Sequence, residues 1–220
     1  MIRVPTGIRG FDELMEGGFP EGSLILLAGE PGTGKTVFSG KFVCEGLNNK
    51  EKCVYVTFMD PADRLLDGFS RFGYDLSTFE RKNDLKILDM QLGGQTEMEA
   101  VTSEILEAVR SLGAKRLVLD SVTAMISGLD NPGRKREFAT VLYRVLQKLR
   151  CTTIAIAEVL GDGVSYGMEE FIADGVLILQ SEYNSPEMKR TLRIKKLRNT
   201  KHSLKIHEYT ITDKGFELVK

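Results

Sequence analysis

Eight consecutive residues, Gly29-Glu30-Pro31-Gly32-Thr33-Gly34-Lys35-Thr36, fit the pattern G-x-x-x-x-G-K-[ST], and each type has work to do. Gly29, Gly32 and Gly34 allow backbone N–H groups, that of Thr33 among them, to turn inward around phosphate oxygens. Lys35 brings a point charge to the β and γ oxygens, and the Thr36 hydroxyl is a hard oxygen ligand suited to Mg²⁺. A chance glycine-rich turn needs no particular flanks. Here the apolar run Leu24-Ile25-Leu26-Leu27 comes before it and a helix-forming run from about Lys35 to Asn49 comes after it. The helix N-terminus then adds its partial positive charge to the loop. The expected ligand is a nucleoside triphosphate, ATP, with Mg²⁺.

A metal shell needs a second hard ligand, and open α/β sheets place such groups at the carboxyl ends of neighbouring strands. Asp120 closes Arg116-Leu117-Val118-Leu119-Asp120. An aspartate there also makes a plain helix N-cap. The phosphate loop upstream tips the choice toward metal, so Thr36 and Asp120 are the expected Mg²⁺ pair.

The elements that must hold these groups are legible as alternation. Short apolar runs at Leu24–Leu27, Cys53–Phe58, Leu85–Leu88, Leu117–Leu119, Thr153–Ala157 and Val176–Leu179 are separated by helical patterns, the signature of βαβ units in a parallel sheet. Their continuous apolarity predicts strands covered on both faces. Val101, Ile105, Val109 and Leu112 predict a helix over about Met98 to Leu112. Phe138, Val141, Leu142, Val145, Leu146 and Leu149 predict one over about Arg134 to Arg150 with this whole stripe in the core. Beyond residue 185 the period becomes two, in Leu192-Arg193-Ile194 and Ile206 to Ile211, which predicts an antiparallel hairpin at the sheet edge. The expected fold is α/β, a P-loop domain over residues 1–220 with a mostly parallel central sheet flanked by helices.

Bulk numbers narrow the setting. A chain of 220 residues buries about 70 to 75% of its unfolded surface, so it needs no disulfide or metal staple. No apolar run approaches the ~20 residues of a membrane span, and the first residues lack a signal peptide's apolar stretch. Cys44, Cys53 and Cys151 are odd in number and scattered, which fits a reducing cytoplasm. A formal net charge of -1 gives no global attraction to nucleic acid or acidic membranes.

Four segments together resemble the KaiC family of RecA-like ATPases, nearly end to end, in the single-domain form typical of archaeal KaiC and RadA paralogues. They are Thr6-Gly7-Ile8-Arg9-Gly10-Phe11-Asp12 leading to Gly17-Gly18-Phe19-Pro20; the phosphate loop; Tyr166-Gly167-Met168-Glu169-Glu170-Phe171-Ile172-Ala173-Asp174; and Lys196-Leu197-Arg198-Asn199-Thr200-Lys201-His202. The resemblance implies a homohexameric ring with ATP between subunits, where Lys196, Leu197 and Arg198 of one subunit reach the nucleotide of the next. It also implies nucleotide contacts by Val37, by Arg71 near adenine, and by Thr200, His202 and Asp213 at base or ribose from the neighbour. Met188 to Lys205 holds eight Lys or Arg and no Asp or Glu, which suits a phosphate partner and equally a solvated basic edge strand. The family's two adjacent glutamates after the second strand are Met59-Asp60 here. One carboxylate is missing, so Asp60 is the remaining base for water and hydrolysis is expected to be slow. Glu158 matches a family glutamate, either positioning water or lying idle at a strand end.

Three roles follow. One is an oligomeric ATPase. Another is an accessory protein binding single-stranded DNA in recombination or repair, with Arg134-Lys135-Arg136 in a loop facing the ring centre; a second such loop, Leu160 to Phe171, is acidic. The third is an ATP-gated scaffold that hardly hydrolyses and signals to a protein partner.

Overall fold

The structure is a computed structural model and describes residues 1–90, 98–127, 129, 131–158, 172–182 and 187–219. A short ladder of β1 (Arg3–Val4) and β2 (Phe19–Pro20) stands beside one nine-stranded sheet. Six strands of that sheet run parallel: β3 (Leu24–Gly29), β4 (Cys53–Thr57), β5 (Leu85–Asp89), β6 (Arg116–Asp120), β7 (Thr152–Glu158) and β8 (Gly175–Glu182). Three more extend it antiparallel: β9 (Lys189–Leu197), β10 (His207–Thr212) and β11 (Gly215–Leu218). The order across the sheet is β11-β10-β9-β8-β3-β7-β6-β4-β5. The expected hairpin is present as β9 and β10. It is embedded in a longer antiparallel extension whose last strand, β11, the sequence reading did not separate.

Two cores follow from the period of two along each buried strand. Ile25 and Leu27 of β3 join Phe38, Phe42, Tyr55 and Phe69 on one face, while Leu26 and Ala28 join Val54, Ile105 and Leu142 on the other. Helices α1 (Lys35–Asn48), α2 (Ala62–Ser70) and α3 (Leu76–Arg81) contribute to the first core. Helices α4 (Met98–Leu112), α5 (Val122–Ser127) and α6 (Pro132–Leu149) contribute to the second. The covered strands are thus apolar through their middles, with polar residues such as Arg116, Thr152 and Thr57 at their ends. β5 departs from that expectation: Lys86 is exposed and Ile87 half-buried, because β5 is the sheet's outer edge.

The α6 stripe is only half core, which corrects the sequence reading. Leu142 and Leu146 are buried, but Val141 is 50% exposed. The helix meets the sheet along the line through Leu142 and Leu146, and Val141 and Val145, one residue or about 100° back, fall on the flank. Its start is set by Asn131, whose side chain accepts from Gly133 N at 2.7 Å, with Pro132 as first helical residue.

The end of the sheet away from the phosphate loop is tied by a buried arginine. Arg116, at 0% exposure, donates from Nε to the Glu51 carboxylate at 2.5 Å and from Nη1 to the carbonyls of Pro5 and Phe42, both at 2.8 Å. Its guanidinium lies 4.5 Å from the Phe42 ring centre. Gly46 makes room for it, since a Cβ there would stand 2.4 Å from Arg116 Nε. Removing one member of such a pair strands the rest. Arg116→Ala should therefore lower the unfolding free energy by about 3–5 kcal/mol in urea denaturation. A loss under about 1 kcal/mol would mean that the cluster is not structural.

Candidate nucleotide-binding site

Because β3, β7, β6 and β4 are neighbours in parallel register, their carboxyl ends form one rim. Gly29 stands beside Glu158, and Asp120 beside Thr57, three residues before Asp60. The phosphate loop leaves that rim from β3 and enters α1. Gly32 and Gly34 take φ of +81° and +86°, a region costly for residues with a Cβ. At Gly34 a Cβ would also meet Ile211 Cδ1 at 2.3 Å. Thr33 turns inward, its hydroxyl donating to the Glu30 carbonyl at 2.7 Å. Tyr209 of β10 donates its hydroxyl to the Thr33 carbonyl at 2.5 Å. The antiparallel extension therefore braces the loop from outside, through Tyr209 and Ile211, two residues that sequence reasoning passed over as strand alternation.

Lys35 is buried, with Nζ donating to the Gly29 and Glu30 carbonyls at 2.9 and 2.8 Å. Burial lowers its pKa, against the opposing pull of Glu158, Asp120 and Glu30. The ammonium is thus held inside the loop by acceptors weaker than phosphate oxygens, and an anionic ligand would supply both charge and hydrogen bonds. Thr36 donates its hydroxyl to Asp120 Oδ2 at 2.9 Å. Desolvation raises the Asp120 pKa, offset by hydrogen bonds from Tyr55 and Thr36 and by Lys35. A buried carboxylate and a hydroxyl in contact are hard oxygen donors of the kind Mg²⁺ takes, so this pair fits the metal expected from the sequence. Val37 follows on α1, half-buried against the first core.

Glu158 ends β7 next to Gly29, close enough to act on Lys35, and its backbone N–H donates to Thr123 Oγ1 at 2.9 Å. Asp60 sits just past β4 in a turn closed by Thr57, whose hydroxyl donates to the Asp60 carbonyl at 2.9 Å. The Asp60 carboxylate is about half exposed and 3.8 Å from Arg64 Nη1. Met59 beside it is 71% exposed and offers no proton acceptor.

The remaining expected ligand residues divide between the two ends of the sheet. Arg71 follows α2 and is exposed, and Asp213 lies in the turn between β10 and β11. Both are on the phosphate-loop side. Ile211 touches Gly34, and Gly215 abuts Tyr74, three residues beyond Arg71. Lys196, Leu197 and Arg198 are elsewhere. Leu192 is level with Leu179 and Gly29, and β9 runs back from there, so Lys196 lies four residues, roughly 13 Å, toward the opposite end. There Lys196 Nζ donates to the Ala173 carbonyl at 2.7 Å, and Arg198 Nη1 approaches Asp174 Oδ1 at 3.4 Å. Thr200 Oγ1 accepts from Arg3 Nη1 at 2.7 Å, and His202 Nδ1 is 3.0 Å from the Ser203 carbonyl. The structure therefore separates Asp213 from Thr200 and His202, which the sequence reading had grouped. Arg134 and Arg136 are exposed on the first turns of α6, and the expected loop over residues 160–171 lies outside the described residues.

A glycine-rich loop between strand and helix, on the carboxyl rim of a parallel sheet with Asp120 on a nearby strand, defines a RecA-like nucleotide-binding ATPase domain. The chain belongs to the KaiC ATPase family, whose model matches residues 4–220. A UPF0273 protein of Pyrococcus horikoshii is 34% identical, covering 97% of this chain and 92% of its own. The circadian clock protein KaiC3 of Synechocystis is also 34% identical, over 96% of this chain but 44% of its own length. Among solved structures, a KaiC-like protein of Pyrococcus horikoshii matches with a TM-score of 0.91 and 36% identity, covering 100% of this chain and 99% of that one.

The left-handed glycines of the loop yield a direct test. Gly34→Ala forces a Cβ into a left-handed conformation, costing about 1–2 kcal/mol before any contact with Ile211, so nucleotide affinity should fall by at least about tenfold in a fluorescent-ATP titration. Gly17→Ala, also at positive φ but with nothing within 4 Å, should leave affinity unchanged.

Proposed function

We propose that this protein is a Mg²⁺-dependent, slow ATPase working in the cytoplasm as a closed hexameric ring of identical subunits, each site completed by Lys196 and Arg198 of the next. The observation that carries this reading is the placement of those cations at the end of the sheet opposite their own phosphate loop. They cannot serve the loop of the same chain. A head-to-tail contact between copies, closing as a ring, brings one end to the other. Lys35 then binds the β and γ oxygens, Thr36 and Asp120 hold Mg²⁺, and Lys196 and Arg198 offset charge on the transferring phosphoryl group. Arg71 and Asp213 serve the base from the same subunit as the loop, while Leu197, Thr200 and His202 come from the neighbour. Asp60 orients the attacking water and Glu158 sets the field at Lys35. The free thiols Cys44, Cys53 and Cys151 fit a reducing compartment.

Slow turnover rests on Met59, whose exposed thioether stands where a carboxylate would take a proton. The same residue favours a second reading, an ATP-gated scaffold signalling by assembly. Met59→Glu separates the two. Measurable wild-type phosphate release, raised about 10-fold or more in Met59→Glu, fits the slow ATPase. No wild-type release above background, with turnover only in the variant, makes the protein a scaffold.

Sharing of the site is tested by mixing. Lys35→Ala and Arg198→Ala should each lack turnover alone. Mixed in equal amounts under conditions of subunit exchange, they should regain about a quarter of wild-type activity, one half for the loop donor times one half for the cation donor at each heterologous interface. A mixture as inactive as its components would place loop and arginine in one chain's site.

A further inference from the structure

A buried phenol touches the proposed metal carboxylate, and neither the phosphate-loop pattern nor the family likeness uses it. Tyr55 is the central residue of β4, fully buried within an apolar run. Its ring packs edge-on to Phe69, with centroids 5.6 Å apart. Packing alone would be served as well by phenylalanine. The hydroxyl, however, donates to Asp120 Oδ2 at 2.7 Å and lies 3.0 Å from Ser39 Oγ on α1. Ser39 in turn donates to the Thr36 carbonyl at 2.9 Å, one turn back on the same helix. Thr36, Ser39, Tyr55 and Asp120 thus form a closed ring of contacts joining α1, β4 and β6.

Counting protons sets the direction of that ring. An ionised carboxylate only accepts, so the single phenolic proton goes to Asp120, the short, charge-assisted contact. Tyr55 oxygen is left as an acceptor, and the one Ser39 proton is shared between it and the Thr36 carbonyl. Both donors to Asp120, Thr36 on α1 and Tyr55 on β4, reach the same oxygen, Oδ2. Two donors on one oxygen fix the rotation of the carboxyl group. Among the described residues no hydrogen bond reaches Oδ1, which keeps its acceptor capacity for a cation shell.

We propose that Tyr55 is the positioning residue of the magnesium site, its hydroxyl holding the Asp120 carboxylate in the rotation that presents Oδ1. This rests on the reading of Thr36 and Asp120 as the magnesium pair. Groups that orient metal ligands without touching the metal typically contribute 10–100-fold in metal affinity. The same contact links the metal to the first core, because Tyr55 is packed among Phe69 and the residues of α1.

The test is a Mg²⁺ titration of protein carrying a fluorescent ATP analogue, in wild type, Tyr55→Phe and Asp120→Asn, with melting temperatures recorded with and without the metal. Tyr55→Phe keeps the ring and its packing. It should raise the half-saturating Mg²⁺ concentration by about tenfold or more and shrink the Mg²⁺-dependent rise in melting temperature. A purely structural tyrosine would lower both melting temperatures equally and leave the titration unchanged. A Tyr55→Phe midpoint within about twofold of wild type, beside a strongly shifted Asp120→Asn, overturns the role of Tyr55 alone. If Asp120→Asn also titrates like wild type, the magnesium pair itself is wrong and the inference falls with it.

Discussion

Strand direction is the constraint from which the rest of the molecule follows. Six parallel strands send their carboxyl ends to one rim, so Gly29, Glu158, Asp120 and the turn at Asp60 converge without any of them being adjacent in sequence. One reversal, at β9, then carries Lys196 back along the sheet to the other end. Parallel register gathers the phosphate loop and Asp120 on one rim, and the reversal leaves Lys196 and Arg198 at the other end. In the ring proposed above, such a protein would complete its site by meeting another copy of itself, which would tie chemistry to assembly.

The rim is also where folding and binding pull in opposite directions. Lys35 and Asp120 are charged groups taken out of water, and burial shifts each toward its neutral form. Backbone carbonyls, Thr36 and Tyr55 compensate in part. A triphosphate with its metal would compensate far better, since it brings opposite charge to both. Stability is supplied instead by groups outside the site, by Arg116 with Glu51 at the far end and by the aromatic core around Phe38 and Phe42 beneath the sheet face.

Much of this was legible in the residues because it rests on local patterns. The loop from Gly29 to Thr36, the apolar strands and the α4 stripe are read from spacing alone, and Asp120 from its place at a strand end. What escaped depends on which strands become neighbours. Tyr55 looks like one more core residue until β4 lies beside β6 and its hydroxyl meets Asp120. A signal was present, since a tyrosine inside a fully buried run must find a partner for its O–H. Arg116 stands just outside the apolar run Leu117–Leu119 and gives no local sign of burial, yet it is enclosed by Pro5, Phe42 and Glu51 from distant segments. Val141 failed in the other direction: periodicity marks an apolar face, but how wide a strip of it the sheet covers is set by the helix's placement. β11 was within reach, for Phe216 and Leu218 alternate with polar neighbours directly after the Asp213-Lys214 turn.

The central claim is that ATP binds between copies rather than within one. Native mass spectrometry with ATP and Mg²⁺ addresses it most directly. The account predicts a dominant species of six 24.5 kDa chains with one nucleotide retained per subunit interface. A monomer of 24.5 kDa holding its own ATP at saturation, with no larger assembly, would contradict it.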